Sequence, residues 1–91
     1  MRISRPAYYT YIVQCTDGTY YIGKTYDLQH RVKQHNGLLA GGAKYTRQRK
    51  PVILVYYEQY ATNKFACHRE WCLKQLTHRQ KEELINENFQ Y

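Results

Sequence analysis

"YYTYIVQCTDGTYYIGKT", Tyr8 to Thr25, carries five tyrosines around a single turn signal. Residues 8–15 are rich in aromatic and β-branched side chains and hold no glycine or proline, which reads as a strand. Asp17-Gly18 marks the turn, and residues 19–24 read as the returning strand. The turn can close in two ways. A two-residue turn pairs Val13 with Ile22 and sends Tyr11 and Tyr21 to opposite faces of the sheet. A three-residue turn, Thr16 to Gly18 with Gly18 left-handed, pairs Val13 with Tyr21 and brings both tyrosines to one face. The second closure, with its glycine bulge, is the one expected.

Outward from the hairpin, Asp27 offers an N-cap to the helical stretch LQHRVKQHN. Leu28, Val32 and His35 share one face of that helix, and Gly37 stops it. Residues 37–51 read as a loop, because three glycines and Pro51 interrupt any regular element. VILVYYEQY, 52–60, reads as a third strand, apolar enough to be central in the sheet. Residues 62–76 read as a helix buried on two sides. Phe65, Ala66, Cys72, Leu73 and Leu76 lie on one of them, Cys67 and Trp71 on the other. Thr77 with Gln80 forms a capping box opening a last helix, about 78–88. The order β-β-α-β-α-α predicts an α+β fold, a small, mainly antiparallel three-stranded sheet with packed helices.

The chain has 91 residues, enough for one domain spanning 1–91. No apolar run approaches the roughly 18 residues needed to span a bilayer. Met1 to Pro6 is basic, but no apolar signal core follows it, so a cytoplasmic location is expected. Cys15, Cys67 and Cys72 are an odd set that reads as buried free thiols, neither a disulfide framework nor a zinc site. Fourteen Lys and Arg against seven Asp and Glu give a net charge of +7. So positive a small domain calls for an anionic partner, with nucleic acid the leading class.

Tyr21-Ile22-Gly23 ends the second strand. Tyr11 stands ten residues before Tyr21, Arg31 ten after it, His35 four further on, and Glu70 far downstream. Gly42 to Arg47 reads GAKYTR. This arrangement resembles the GIY-YIG endonuclease superfamily from Tyr9 to about Asn86. It looks most like the small single-domain bacterial members, which carry the same GAKYTR loop. The first triplet, Tyr9-Thr10-Tyr11, departs from Gly-Ile and keeps its tyrosine. The resemblance implies a divalent-metal-dependent endonuclease that hydrolyses DNA phosphodiesters, with branched or damaged DNA in repair or recombination as the candidate substrate. It implies Tyr11, Tyr21, Arg31 and His35 as catalytic residues and Glu70 as the ligand of one Mg²⁺ or Mn²⁺. Gly23, Lys24 and, in the last helix, Asn86 are implied on the substrate side.

The residue types suit that chemistry. A carboxylate such as Glu70 can hold a hydrated Mg²⁺, which also binds phosphate oxygens. Arg31 can engage phosphate with its planar fork. Tyr21 or His35 is the candidate to take the proton of the attacking water, and Tyr11 to orient water or phosphate. In the loop, Lys44, Tyr45, Thr46 and Arg47 are expected to contact the substrate: Lys44 and Arg47 can neutralise phosphates and Tyr45 can stack on a base. DNA is the expected partner, with RNA left open. The altered triplet and the lack of an attached DNA-recognition domain keep two alternatives in view: a non-catalytic or weakly active nucleic-acid-binding module, and a protein partner that supplies specificity.

Overall fold

A computed structural model describes residues 7–88; the basic Met1–Pro6 segment and residues 89–91 lie outside it. The elements are β1 (Tyr8–Gln14), β2 (Tyr20–Thr25), α1 (Leu28–His35), α2 (Lys44–Arg47), β3 (Ile53–Tyr60), α3 (Asn63–Lys74) and α4 (His78–Glu87). The sheet is antiparallel with order β2-β1-β3. The expected α+β fold is therefore observed, with one added helical turn, α2.

The hairpin closes through the three-residue turn. Val13 pairs with Tyr21 and Tyr11 with Gly23. The Cys15 N–H donates to the Thr19 carbonyl at 2.8 Å, the Gly18 N–H donates to the Cys15 carbonyl at 2.9 Å, and Gly18 sits at φ +84°. A side chain at Gly18 would be strained in that left-handed conformation. Asp17 Oδ1 takes hydrogen bonds from both the backbone N–H and the hydroxyl of Thr19, which fixes the turn from within.

Side chains alternate along β1 to feed two cores. Tyr11, Val13 and Cys15 pack with Val52, and Tyr21, Leu28, Val32 and Leu54 close over them. Ile12 and Ile22 pack on the other face with Leu73, under Leu76, Leu84 and Ile85. Thr10 through Val13 are all buried, as a strand covered on both faces must be. This corrects the expectation that 52–60 is central. β3 is an edge strand, and its Ile53 and Tyr57 remain exposed. A register shift against Ile12/Val13 interrupts its pairing with β1. Because of it, Leu54 meets Val13 on one face while Tyr56 and Glu58 meet Ile12 and Thr10 on the other.

The caps act where the sequence places them. Asp27 accepts from the His30 N–H, Thr62 from the Phe65 N–H, and Thr77 with Gln80 forms the reciprocal capping box. The two-sided burial expected for α3 is not found. Ala66 and Leu73 are buried, whereas Phe65, Cys67 and Trp71 are exposed. α3 lies on one face of the sheet and buries only the side turned towards it. Of the three thiols, only Cys15 is buried. Arg69, in the middle of the apolar stripe of α3, is neutralised there. Its Nε donates to both oxygens of Glu58 on β3, at 2.8 and 3.1 Å, and Glu58 also accepts from the Tyr56 and Tyr60 hydroxyls.

Candidate active site

The face of the hairpin that holds Tyr11 and Tyr21 is roofed by α1 and the loop after it. Tyr11 lies across Gly23. A Cβ added to Gly23 would stand 2.6 Å from the Tyr11 phenol oxygen, so only glycine lets the ring lie over the edge strand there. That hydroxyl meets two residues of α1. Arg31 Nε donates to it at 3.3 Å, and His35 Nε2 lies 2.7 Å away. Arg31 and His35 are one helical turn apart, so one helix face presents both.

The hydrogen-bond pattern assigns the protons. The Thr46 hydroxyl donates to the Ala43 carbonyl at 3.1 Å, and its oxygen lies 2.7 Å from His35 Nδ1. A hydroxyl has one proton to give, so Thr46 accepts from Nδ1–H. Nε2 is then the bare nitrogen, and the Tyr11 O–H donates to it. Burial, together with the adjacent Arg31 charge, lowers His35 to about 4, so the imidazole is neutral near pH 7. Burial pushes the Tyr11 phenol up to about 12; Arg31 opposes this, while Tyr21 and Glu70 push the same way.

The loop braces α1 at the outer ends of the same side chains. Arg31 Nη1 donates to Gln34 Oε1 and to the Gly41 carbonyl, both at 2.9 Å, and Gln34 Nε2 donates to the Ala40 carbonyl. The loop expected over 37–51 contains the single turn α2. Its Ala43–Arg47 backbone bond and the Thr46–Ala43 side-chain bond close it locally. That turn also corrects the role expected for Thr46 as a substrate contact. Lys44, Tyr45 and Arg47 face outward, whereas Thr46 is completely buried against His35. Tyr45 stacks on Tyr21 at 5.9 Å, with the Arg49 guanidinium 3.9 Å from its ring centroid. Tyr21 presents its ring to His35 at 5.1 Å. Its hydroxyl has no hydrogen-bond partner among the described residues.

Glu70 comes from α3. It is mostly buried, lies close enough for its charge to act on Tyr11, and pairs with Lys74 at 3.1 Å. Among the described residues, no three His, Cys, Asp or Glu side chains gather around one point. A single hard carboxylate fits an ion that keeps its waters and takes phosphate oxygens, as Mg²⁺ and Mn²⁺ do, and does not fit a caged zinc. Lys24 extends from β2 and donates to Asn63 Oδ1 at 3.0 Å. It borders an open cleft of about 640 Å³, lined also by Tyr26, His30, Arg31 and Asn63. Asn86 is not brought to the cluster: it is exposed on α4, whose Leu84 and Ile85 pack on the opposite face of the sheet.

Residues 7–83 match the family model of the GIY-YIG catalytic domain. The chain belongs to the GIY-YIG family. It is 47% identical over 81 residues to a UPF0213 protein of Desulfotalea psychrophila, covering 89% of this chain and 73% of that one. A UPF0213 protein of Halobacterium salinarum is 47% identical over 78 residues, covering 86% of this chain and 99% of its own. Among solved structures, the solution structure of a UPF0213 protein from Bacillus halodurans matches with TM-score 0.58 and 38% identity over 90% of this chain and 85% of that one. A second solution structure, of a protein from E. faecalis, matches with TM-score 0.59 and 37% identity over 89% and 84%. A GIY-YIG domain places the chain in a nuclease superfamily. Among the described residues, no helix is long and apolar enough to cross a membrane.

Two contributors escaped the sequence reading. Gln34, which braces Arg31 and the loop, carries a signal only in its i+3 spacing from Arg31. Asn63, the partner of Lys24, lies 39 residues from it in sequence and carries none.

Proposed function

We propose that this protein hydrolyses DNA phosphodiester bonds as a divalent-metal-dependent endonuclease of one domain. The observation that carries the reading is the convergence of Arg31 and His35 on the Tyr11 hydroxyl. In this reading the Arg31 guanidinium meets the phosphate of a strand lying in the Lys24–His30–Arg31 cleft. Bound phosphate offsets the positive charge beside His35 and so raises its proton affinity. Water then gives a proton to the Tyr11 oxygen as Tyr11 passes its own to His35 Nε2. The hydroxide oxygen bonds to phosphorus, the bond to the leaving oxygen breaks, and that oxygen takes a proton from solvent. His35 returns its extra proton to solvent through Tyr11. Both ring nitrogens of His35 are already engaged, Nε2 by Tyr11 and Nδ1 by Thr46, which favours Tyr11 as the group that meets the water. Tyr21, whose hydroxyl has no hydrogen-bond partner among the described residues, serves the phosphate beside Arg31 in this reading. Glu70 would hold Mg²⁺ or Mn²⁺, which, when bound, supplies Lewis-acid stabilisation of the charge developing on phosphate and leaving oxygen.

The Glu70–Lys74 ion pair favours a second reading, a binding module in which that carboxylate serves the helix. The two separate in a cleavage assay on linear, nicked and branched DNA with Mg²⁺ or Mn²⁺. The enzyme reading expects cutting that disappears in Glu70→Ala while DNA binding persists. Binding by both proteins with no cutting by either supports the module. RNA substrates in the same assay fix the nucleic-acid class, and cutting confined to branched DNA would support a role in repair or recombination.

A further inference from the structure

We propose that Thr46 is a positioning residue that holds His35 as its Nδ1–H tautomer, and so couples the nucleic-acid-contacting turn α2 to the Tyr11 proton path. The proposal rests on the reading of Tyr11 and His35 as that path. Its geometry is one chain: Tyr11 O–H to His35 Nε2, His35 Nδ1–H to Thr46 Oγ1, Thr46 O–H to the Ala43 carbonyl, with steps of 2.7, 2.7 and 3.1 Å. Thr46 is completely buried and His35 is 1% exposed, so water cannot substitute for the Thr46 link on the Nδ1 side. A backbone carbonyl can only accept. Ala43 therefore orients the whole chain, and Thr46 transmits that orientation to the imidazole.

The direction matters chemically. With Nδ1 protonated, Nε2 carries the lone pair that receives the Tyr11 proton. In the other tautomer Nε2–H would point at the phenol oxygen, which also accepts from Arg31, and Tyr11 would have nowhere to send its proton. During the transfer Nδ1–H stays on Thr46, so the imidazolium keeps a hydrogen-bond acceptor on each side. Thr46 lies between Tyr45 and Arg47, both facing outward. A strand gripping those two side chains pulls on the turn that sets the tautomer. Residues 40–47 thus hold His35 through Thr46 and Arg31 through the Gly41 carbonyl.

The test is the ¹⁵N NMR signature of the His35 ring in the full chain, without DNA or metal, near pH 7. Wild type is expected to show Nδ1 protonated and Nε2 bare. The opposite assignment in wild type overturns the proposal without any variant. Thr46→Val keeps the volume and removes the hydroxyl. It is expected to lose the single-tautomer signature and to lower kcat about 10- to 100-fold. DNA affinity should stay within about twofold of wild type, because Lys44, Tyr45 and Arg47 are kept. Thr46→Ser is expected to restore both the signature and kcat. A wild-type signature or wild-type kcat in Thr46→Val contradicts the proposal. If wild type cuts no DNA, the nuclease reading fails, and the NMR comparison still decides whether Thr46 sets the tautomer.

Discussion

The Tyr11 hydroxyl and His35 Nε2 lie 2.7 Å apart although 24 residues separate them in the chain. The contact depends on a third residue, on the neighbouring strand. Gly23 leaves the space in which the Tyr11 ring crosses β2, with the phenol oxygen 2.6 Å from where a Cβ would be. Gly23→Ala should therefore displace the hydroxyl from both His35 and Arg31. Overpacking of this kind typically costs about 1–3 kcal/mol. DNA cleavage is expected to fall by roughly 100-fold or more, a loss far larger than the fraction unfolded explains. Thermal melting and single-turnover cleavage on the same sample separate the two effects.

His35 gives the fold an acid limit. Its proton affinity is lower folded, at about 4, than in an unfolded chain, where the ordinary value is 6.5. Between those values the unfolded state binds a proton that the native state refuses, so stability falls as pH drops from about 6.5 towards 4. The full window corresponds to about 3 kcal/mol. His35→Asn should flatten that limb of a urea-denaturation series across pH, relative to its own value at pH 7.

On the opposite face, Glu58 joins Arg69, Tyr56 and Tyr60 in a half-buried cluster. Burial alone would raise Glu58, but hydrogen bonds from Arg69, Tyr56 and Tyr60 hold it below the usual carboxylate range. Burial and the Glu58 charge push both tyrosines up to about 12. Their contribution is present below pH 10 and declines as pH rises from about 10 towards 12, where only the unfolded tyrosines ionise. Glu58→Ala should destabilise by about 2–3 kcal/mol, because it strands Arg69 and two phenols. It should leave DNA affinity unchanged. Denaturation and a binding titration together check both halves of that expectation.

Nucleic-acid affinity should depend steeply on salt. Lys44 and Arg47 project from α2 into solvent, and each phosphate contact contributes about 0.9 to the slope of log affinity against log salt for duplex DNA. Arg47→Ala is expected to reduce the slope by about one and to weaken binding evenly across sequences. Fluorescence anisotropy at four or five salt concentrations measures it. An unchanged slope would remove Arg47 from the interface.

The hairpin was legible because its turn leaves few choices. Once Gly18 takes the left-handed position, Val13 must face Tyr21, and both tyrosines fall on one side. The α1 face was legible for a similar reason, since Leu28, Val32 and His35 repeat at helical spacing. Strand order was not. VILVYYEQY is more apolar than YYTYIVQ, yet the latter is central, because centrality follows from pairing partners and the shift in β3 has no mark in composition. Arg69 falls within the apolar stripe of α3, and its neutralising partner, Glu58, comes from another element, so no local pattern announces the pair. Cys67 and Trp71 suggested a second buried face on α3 because apolar character was read as burial. The inward turn of Thr46 was hidden by its neighbours: Lys44, Tyr45 and Arg47 make the loop read as uniformly exposed, and a single helical turn is too short to show a period.

Single-turnover cleavage of a labelled DNA substrate with Mg²⁺, comparing wild type with Tyr11→Phe, tests the central claim most directly. The substitution removes one hydroxyl and keeps the ring over Gly23. The account predicts that Tyr11→Phe binds DNA within about twofold of wild type and cuts it at least 100-fold more slowly, the range in which removing a proton-transfer group falls. Cleavage by Tyr11→Phe at the wild-type rate would contradict it.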